Sequence, residues 1–378
     1  MNTNSRRILI KSVAAFTAVS VSPFVAAFTD KHLGSVTIPS VSAAESFEAE
    51  GSLLMSKERI LAYVPVEEAP VHTETVVVAE QDVETDSHET KLPLTTTNIE
   101  QNDETTDDFN RRDGLIAWKT YGAVPGTDFI NLEGGGQVRN ATNIDREVIA
   151  AEVSKLPDFT LYGDGSPEVL IYHNHTSESY QPSGAVYFDG DYTGRSANPD
   201  NGVVAVGEAI AREIAAAGYG VIHDGTVHDS PEYKGSYGRG LTTVYKILEQ
   251  YPSIKVVLDI HRDAIETEDG APVGAVTEQA GGRAAQVMFI AAADDGTYDV
   301  PDFMQNLRFA AMLQSQAEAD NPELMRPVLF QYCQYNEQVS HGALLVEVGS
   351  HGNTIDEAVY AGELLGKSIA RALDKLRT

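Results

Sequence analysis

The sequence predicts an α/β fold: a mostly parallel, mixed central sheet with helices on both faces. Three observations predict it. Short apolar runs read as buried strands, among them Val169-Leu-Ile-Tyr172, Val256-Val-Leu-Asp-Ile260 and Leu344-Leu-Val-Glu-Val348. Between them lie longer stretches, such as Val203 to Ala216, whose apolar residues repeat at helical spacing. Strands that alternate with helices of this length build parallel units, because a helix is the usual crossover between parallel neighbours.

The chain has 378 residues, enough for one large domain or two modest ones with tails. It carries 27 Lys+Arg against 56 Asp+Glu, a formal charge of -29. That excess argues against a nucleic-acid partner, whose phosphates need basic groups. The single cysteine, Cys333, excludes an internal disulfide and reads as a packed residue. A metal site in this chain must therefore be built from histidine and carboxylate.

Residues 1–30 read as a signal or membrane anchor. Arg6, Arg7 and Lys11 precede an apolar stretch from Ser12 to Phe28, a polarity that places the remainder outside the cytoplasm. The favoured reading is an uncleaved anchor; cleavage after the small residues Val41-Ser-Ala43 is the alternative. Residues 31–113 read as an acidic, disordered linker, with runs such as Glu80-Gln-Asp-Val-Glu-Thr-Asp86 that cannot bury enough apolar surface to offset chain entropy. Like charges extend such a segment, so it suits a stalk or a plain spacer.

Residues 114–378 read as the folded, catalytic domain. Phe129-Ile-Asn-Leu132 and Val138-Arg-Asn-Ala-Thr142 suggest short strands. Asn143 is placed to cap a helix from Ile144 to Leu156, which Pro157 ends. After the strand at Val169, the irregular stretch from Gln181 to Asn201 is long enough to serve as a substrate-binding loop. A helix at Val203–Ala216 stops at Gly218 and leads to a strand at Tyr219–Ile222. A polar loop from His223 to Gly240 precedes a helix at Leu241–Glu249 and a strand at Ile254–Ile260. Further elements are a strand at Gln286–Ala292, a helix at Asn306–Ala319, the strand at Leu344–Val348 and a closing amphipathic helix at Ile355–Leu376.

Three of the strands end in metal-binding residue types. His175 and Glu178 form an H-x-x-E element just past the strand ending at Tyr172; His261 ends the second run and Glu347 the third. Ligands gather outside the carboxyl ends of strands in open α/β sheets. Zinc hydrolases hold the metal with three His or carboxylate ligands, while another carboxylate takes the proton of the attacking water. The pattern points to His175, Glu178 and His261 as ligands of Zn2+ and to Glu347 as general base. His173 rivals His175, since the two share a face of an extended chain. Asp259 and Asp263 flank His261 and could orient its imidazole, and Asp263 could equally cap the next turn. Arg262 and Arg239 are candidates for bidentate binding of a substrate carboxylate. His223, His228, His341 and His351 are looser candidates, and His32, His72 and His88 fall in the tail.

The motifs Val169-Leu-Ile-Tyr-His-Asn-His-Thr-Ser-Glu-Ser-Tyr180, Val257-Leu-Asp-Ile-His-Arg-Asp-Ala264 and Leu345-Val-Glu-Val-Gly-Ser-His-Gly-Asn-Thr-Ile-Asp-Glu-Ala358 resemble the stage II sporulation protein P family. The resemblance runs from about Phe129 to the C-terminus and includes Val138-Arg-Asn-Ala-Thr142 and Tyr335-Asn336. It implies a fold similar to zinc N-acetylmuramoyl-L-alanine amidases and, more distantly, zinc carboxypeptidases. It also implies cleavage of the amide between N-acetylmuramic acid and L-alanine in peptidoglycan, with an endopeptidase activity on cross-links. The implied setting is the outer side of a membrane during engulfment of the forespore, beside a lytic transglycosylase and a membrane scaffold protein. Glu337 departs from the family pattern, which would have glutamine after Tyr-Asn. Two other readings stand beside the amidase: a zinc peptidase whose arginines hold a substrate carboxylate, and a non-catalytic wall-binding scaffold. The presence of all four residues His175, Glu178, His261 and Glu347 counts against the scaffold.

Overall fold

A computed structural model describes residues 112–378. The expectations for residues 1–30, and for the linker up to residue 111, lie outside the described residues. Among the described residues no helix is long and apolar enough to cross a membrane.

The described residues build thirteen strands and five α-helices. Eight strands form the central sheet: β3 (Phe129–Asn131), β4 (Gln137–Asn140), β5 (Pro167–Tyr172), β7 (Gly220–His223), β8 (Val256–Asp263), β11 (Val287–Ala293), β12 (Val328–Tyr332) and β13 (Gly342–Ser350). Their order across the sheet is β3-β4-β12-β11-β13-β8-β5-β7. All neighbours are parallel except β3 with β4 and β11 with β13. The sheet is thus mixed and mostly parallel.

The strands are apolar because both faces are covered. Along β5, Val169 and Ile171 join the larger core on one side, while Leu170 and Tyr172 face the other. The larger core takes residues of α2 (Val203–Ala216), α4 (Phe303–Asp320) and α5 (Ile355–Leu373). Val244 from α3 (Ser236–Gln250) packs on the opposite face. Each fully buried Val, Leu or Ile contributes about 1.5–3 kcal/mol over its exposed state, so period-two alternation fixes the register of β5.

Helix α1 spans only Arg146–Glu152 and starts from Asp145 without a side-chain cap. Asn143 instead receives the Tyr332 hydroxyl, and Asn140 and Thr142 hold the turn before the helix. Helix α3 begins at Ser236, inside the stretch expected to be loop, because Ser236-Tyr-Gly-Arg-Gly240 is drawn into the helix by tertiary packing despite two glycines. Two small sheets lie beyond the elements that the sequence pattern predicts: β9 (Val273–Gln279) with β10 (Gly282–Ala285) and β2 (Ala117–Lys119), and β1 (Gly114–Leu115) with β6 (Tyr187–Phe188).

Glu337 begins a short 3-10 turn and is buried. Its Oε2 accepts from the backbone N of Ala292 at 2.9 Å, while its Oε1 has no partner. Burial pushes the carboxyl well above its ordinary 4.5. Burial therefore favours the neutral acid in the folded chain. A folded value above the unfolded one means that this group's contribution is complete below pH 4.5 and declines as pH rises. Glu337→Gln should stabilise the protein by about 1–3 kcal/mol at pH 7 and little at pH 4. Urea unfolding at the two pH values checks this; equal stability at pH 7 would reject it.

Candidate active site

Three adjacent parallel strands deliver the candidate residues to one end of the sheet. In the pairing of β8 with β13, Glu347 and His261 are direct register partners. In the pairing of β5 with β8, Tyr172 stands opposite Asp259. Beyond Tyr172 the chain turns, and Glu178 N donates to His175 O at 3.0 Å. Asp259 clamps this turn: its Oδ1 accepts from Asn174 N at 2.9 Å and its Oδ2 from Asn174 Nδ2 at 2.6 Å. The turn thereby swings His175 and Glu178 towards His261. All four residues, His175, Glu178, His261 and Glu347, line one cavity of about 860 Å³.

His173 does not reach it. Leaving the extended conformation at Tyr172 breaks the alternation that put His173 and His175 on one face. The His173 ring points under α2, where a Cβ on Gly207 would come within 2.7 Å of it. Its Nδ1 donates to Ile260 O at 3.0 Å, so its Nε2 accepts from His223 Nε2 at 2.9 Å. Burial, helped by the neighbouring His223, lowers the His173 imidazole to about 3 and keeps it neutral. His228 is likewise structural, donating from Nδ1 to His173 O at 2.8 Å. His351 lines the cavity at its rim, and His341 lies outside it against Asp158.

Charge is concentrated around His261. Its Nδ1 lies 3.3 Å from Glu178 Oε2 and its Nε2 lies 2.9 Å from Asp259 Oδ1. The second contact is electrostatic only, since the Nε2 proton does not aim at Asp259 and has no hydrogen-bond acceptor. Burial pushes the imidazole down, yet the Asp259 and Glu178 carboxylates outweigh it and hold His261 well above 6.5. Glu178 is held well below 4.5: burial would raise it, and Arg262 and His261 prevail. Glu347 behaves oppositely. Burial, together with Asp263 and Glu178, raises it to about 8 against His261 and Arg326, and its Oε2 has no partner. Asp263 accepts from Ala264 N at 2.7 Å and pairs with Arg326 at 2.8 Å.

The donor set suits zinc in chemistry and partly in geometry. Two ligands on a tetrahedral zinc with bonds of about 2.0–2.1 Å stand about 3.3 Å apart, which is the separation of His261 Nδ1 from Glu178 Oε2. His175 faces this pair with its ring perpendicular to His261, 5.1 Å between centroids. Its Nε2 is hydrogen-bonded with the Tyr233 hydroxyl at 2.7 Å and its Nδ1 with Ser236 Oγ at 3.3 Å. Among the described residues no three His, Cys, Asp or Glu side chains form a closed metal-holding group. His175 would complete one by releasing Tyr233 or Ser236.

The arginines are placed differently from the sequence expectation. Arg262 lines the cavity, but its guanidinium donates to the carbonyls of Ser179 and Gly194 at 3.2 and 2.7 Å and fastens the 181–201 loop. Arg239 is absent from the lining and donates to His228 O at 2.6 Å and to the Glu232 carbonyl. Arg195, which the sequence did not single out, is the arginine directed at the cluster. Its Nη2 lies 3.8 Å from Glu178 Oε1, its Nη1 pairs with Asp229 at 2.7 Å, and it stacks over Tyr233 at 4.6 Å. Only its position in a long loop beside the H-x-x-E element could have flagged it. Tyr233 and Tyr237, both in the polar stretch after His223, also line the cavity.

Comparison with known proteins gives a consistent result. Stage II sporulation protein P of Bacillus subtilis (strain 168) is 26% identical over 259 residues, covering 62% of this chain and 61% of that protein. The chain thus aligns with less than two thirds of that relative's length. Among solved structures, the amidase AmiC2 of Nostoc punctiforme overlaps 56% of this chain and 98% of its own at 13% identity and a TM-score of 0.32. The CwlD amidase from Clostridioides difficile, solved in complex with the GerS lipoprotein, overlaps 55% and 98% at 10% identity and a TM-score of 0.36. The family model for stage II sporulation protein P matches residues 43–370, so it takes in the three strand-end motifs and part of the acidic segment before them. The chain belongs to the stage II sporulation protein P family.

Proposed function

We propose that this protein is a zinc-dependent peptidoglycan hydrolase that cleaves the amide between N-acetylmuramic acid and L-alanine. The observation that carries this reading is the convergence of His175, Glu178, His261 and Glu347 from adjacent parallel strands into one cavity. Family membership supports a cell-wall substrate.

His175, Glu178 and His261 would hold Zn2+, which when bound supplies Lewis-acid polarisation and a lowered pKa for water. Glu347 sits one strand from His261, in the cavity, with a free carboxylate oxygen. Its carboxylate takes a proton from water as the water oxygen bonds to the lactyl carbonyl carbon. The C–N bond then breaks and Glu347 returns the proton to the departing alanine nitrogen. Asp259 fixes the edge of His261 and the turn that carries His175 and Glu178.

The setting proposed with this activity is the outer side of a membrane during engulfment of a forespore, with a lytic transglycosylase and a membrane scaffold as partners. An N-terminal anchor, read from Arg6, Arg7, Lys11 and the apolar run after them, supports that placement.

Digestion of purified peptidoglycan by the full chain, with and without a zinc chelator, tests the proposal. Mass spectrometry should find stem peptides beginning in L-alanine, and none after chelation. Products opened only at the cross-links would replace the amidase with an endopeptidase. Glu347→Gln should keep its metal and lose about 10²–10⁴-fold in kcat; unchanged turnover would remove Glu347 from the role of base. His261→Ala should lose zinc by elemental analysis, and full occupancy would reject the ligand set.

The chelated protein carries a further expectation. Between pH 4.5 and about 8 the folded Glu347 keeps a proton that the unfolded chain has released, so this group costs stability increasingly as pH rises. Metal-free Glu347→Gln should therefore melt above the metal-free parent, by a margin that grows from pH 5 to 8. A margin independent of pH would show that Glu347 is ionised throughout.

A further inference from the structure

The chain enters the described domain along the rim of the cavity. One wall of the cavity includes Phe188, Asp189 and Gly190 of the long loop, and another includes Gly270 and Pro272 just before β9. Neither wall belongs to the central sheet. Residues 112–121 run between them and bond to both.

On the loop side, Asp113 N donates to Phe188 O at 3.0 Å and Ile116 N to Val186 O at 3.1 Å, which makes the β1–β6 pair. The Asp113 carboxylate accepts from Gly190 N at 2.8 Å. Arg112 lies over the Tyr187 ring at 4.9 Å. The Phe188 ring packs against Gly114, where a Cβ would come within 2.7 Å of it. On the other side, Ala117 N donates to Pro272 O at 2.9 Å and β2 pairs in parallel with β9. Trp118 lies against Gly274 and under the Arg283 guanidinium at 3.9 Å.

The loop's ends are fastened elsewhere. Gln181 N donates to Asn353 O at 2.9 Å, and Gly194 O accepts from Arg262 at 2.7 Å. Its middle, residues 186–190, is tied to the rest of the chain through residues 113–116. This middle is also thinly packed: Val186 and Tyr187 are 49% and 40% exposed. A segment with few buried contacts depends on its hydrogen bonds for its position.

We propose that residues 112–119 are a positioning arm that sets the cavity's width for a polymeric glycan–peptide substrate. The catalytic residues do not touch the arm, so it acts on substrate binding and not on bond cleavage. Because the arm is also the connection to residues 1–111, the grip on substrate is built into the point where the domain joins the preceding chain. The substrate part of this inference rests on the hydrolase reading; the loop-holding part does not.

The test compares the full chain with the double variant Arg112→Ala/Asp113→Ala by hydrogen exchange and by kinetics on soluble peptidoglycan fragments. Amides of 186–192 should exchange about 5–30-fold faster, with β5, β8 and β13 unchanged. KM should rise about fivefold or more while kcat stays within about twofold and zinc content holds. Unchanged exchange overturns the arm as a positioning element. Faster exchange with unchanged KM, or a fall in kcat alone, overturns its link to substrate. Co-sedimentation with intact peptidoglycan in a Glu347→Gln background reads binding even if the parent proves inactive, so a failed hydrolase reading is told apart from a failed arm.

A rescue makes the result specific. Leu115 and Tyr187 are register partners with exposed side chains. Residues opposite each other in a narrow antiparallel pair stand about 4.5 Å apart at Cα, within disulfide reach. Adding Leu115→Cys and Tyr187→Cys to the double variant should, on oxidation, slow exchange at 186–192 and return KM to the parent's value. Slowed exchange without recovery of KM would reject the proposal.

Discussion

The end of the central sheet is governed by buried negative charge. Glu178 and Asp259, both buried, and the partly buried Glu347 crowd around His261. Carboxylates removed from solvent are costly unless a cation, a proton or several donors meet them. Here each is met in its own way. Glu178 has Arg262 and His261, Asp259 has His261 and the two donors of Asn174, and Glu347 holds a proton. A protonated His261 between two carboxylates is a place where positive charge is required, and a divalent cation would supply more of it than one proton does.

That requirement explains features that would look unrelated in isolation. Arg262 spends its side chain on Ser179 and Gly194 carbonyls, but its backbone N also donates to Glu178 Oε2 at 3.2 Å. It therefore steadies the cluster and the long loop together. Arg195 adds a partly exposed charge beside Glu178 and is itself neutralised by the buried Asp229. The His173 imidazole, bonded to His223, lies behind the same strands and stays neutral, so it adds no charge to offset. The turn after β5 is the joint between these systems, since it carries His173 towards α2 and His175 towards the cavity.

Much of this was legible in the sequence. Apolar runs ending in His or Glu located β5, β8 and β13 and the residues at their tips, because a strand buried on both faces leaves a long apolar signature. Helix α2 was delimited to the residue by its periodicity and Gly218. The choice between His173 and His175 was not legible: it depends on where β5 stops being extended, which Asp259 decides from 85 positions away. Helix α3 was read short because Gly238 and Gly240 have poor propensity, which tertiary packing overrode. Strands β1, β6, β9 and β10 are too short or too rich in Gly and Ala to stand out. The use of Arg262, and the engagement of His175 by Tyr233, are side-chain choices that residue spacing does not encode.

The pairing of Glu347 with His261 lies in the hydrogen-bond ladder of two parallel strands. Their separation is set by backbone spacing, which loops cannot alter without slipping a buried strand and turning its whole apolar set outward. The cavity walls, by contrast, come from the 181–201 loop, the stretch before α3 and the approach to β9. Insertions and exchanges in those walls can reshape what the cavity admits while the chemical pair stays fixed. The architecture thus separates the residues held by the sheet from the walls that decide what reaches them, and a change in one need not disturb the other.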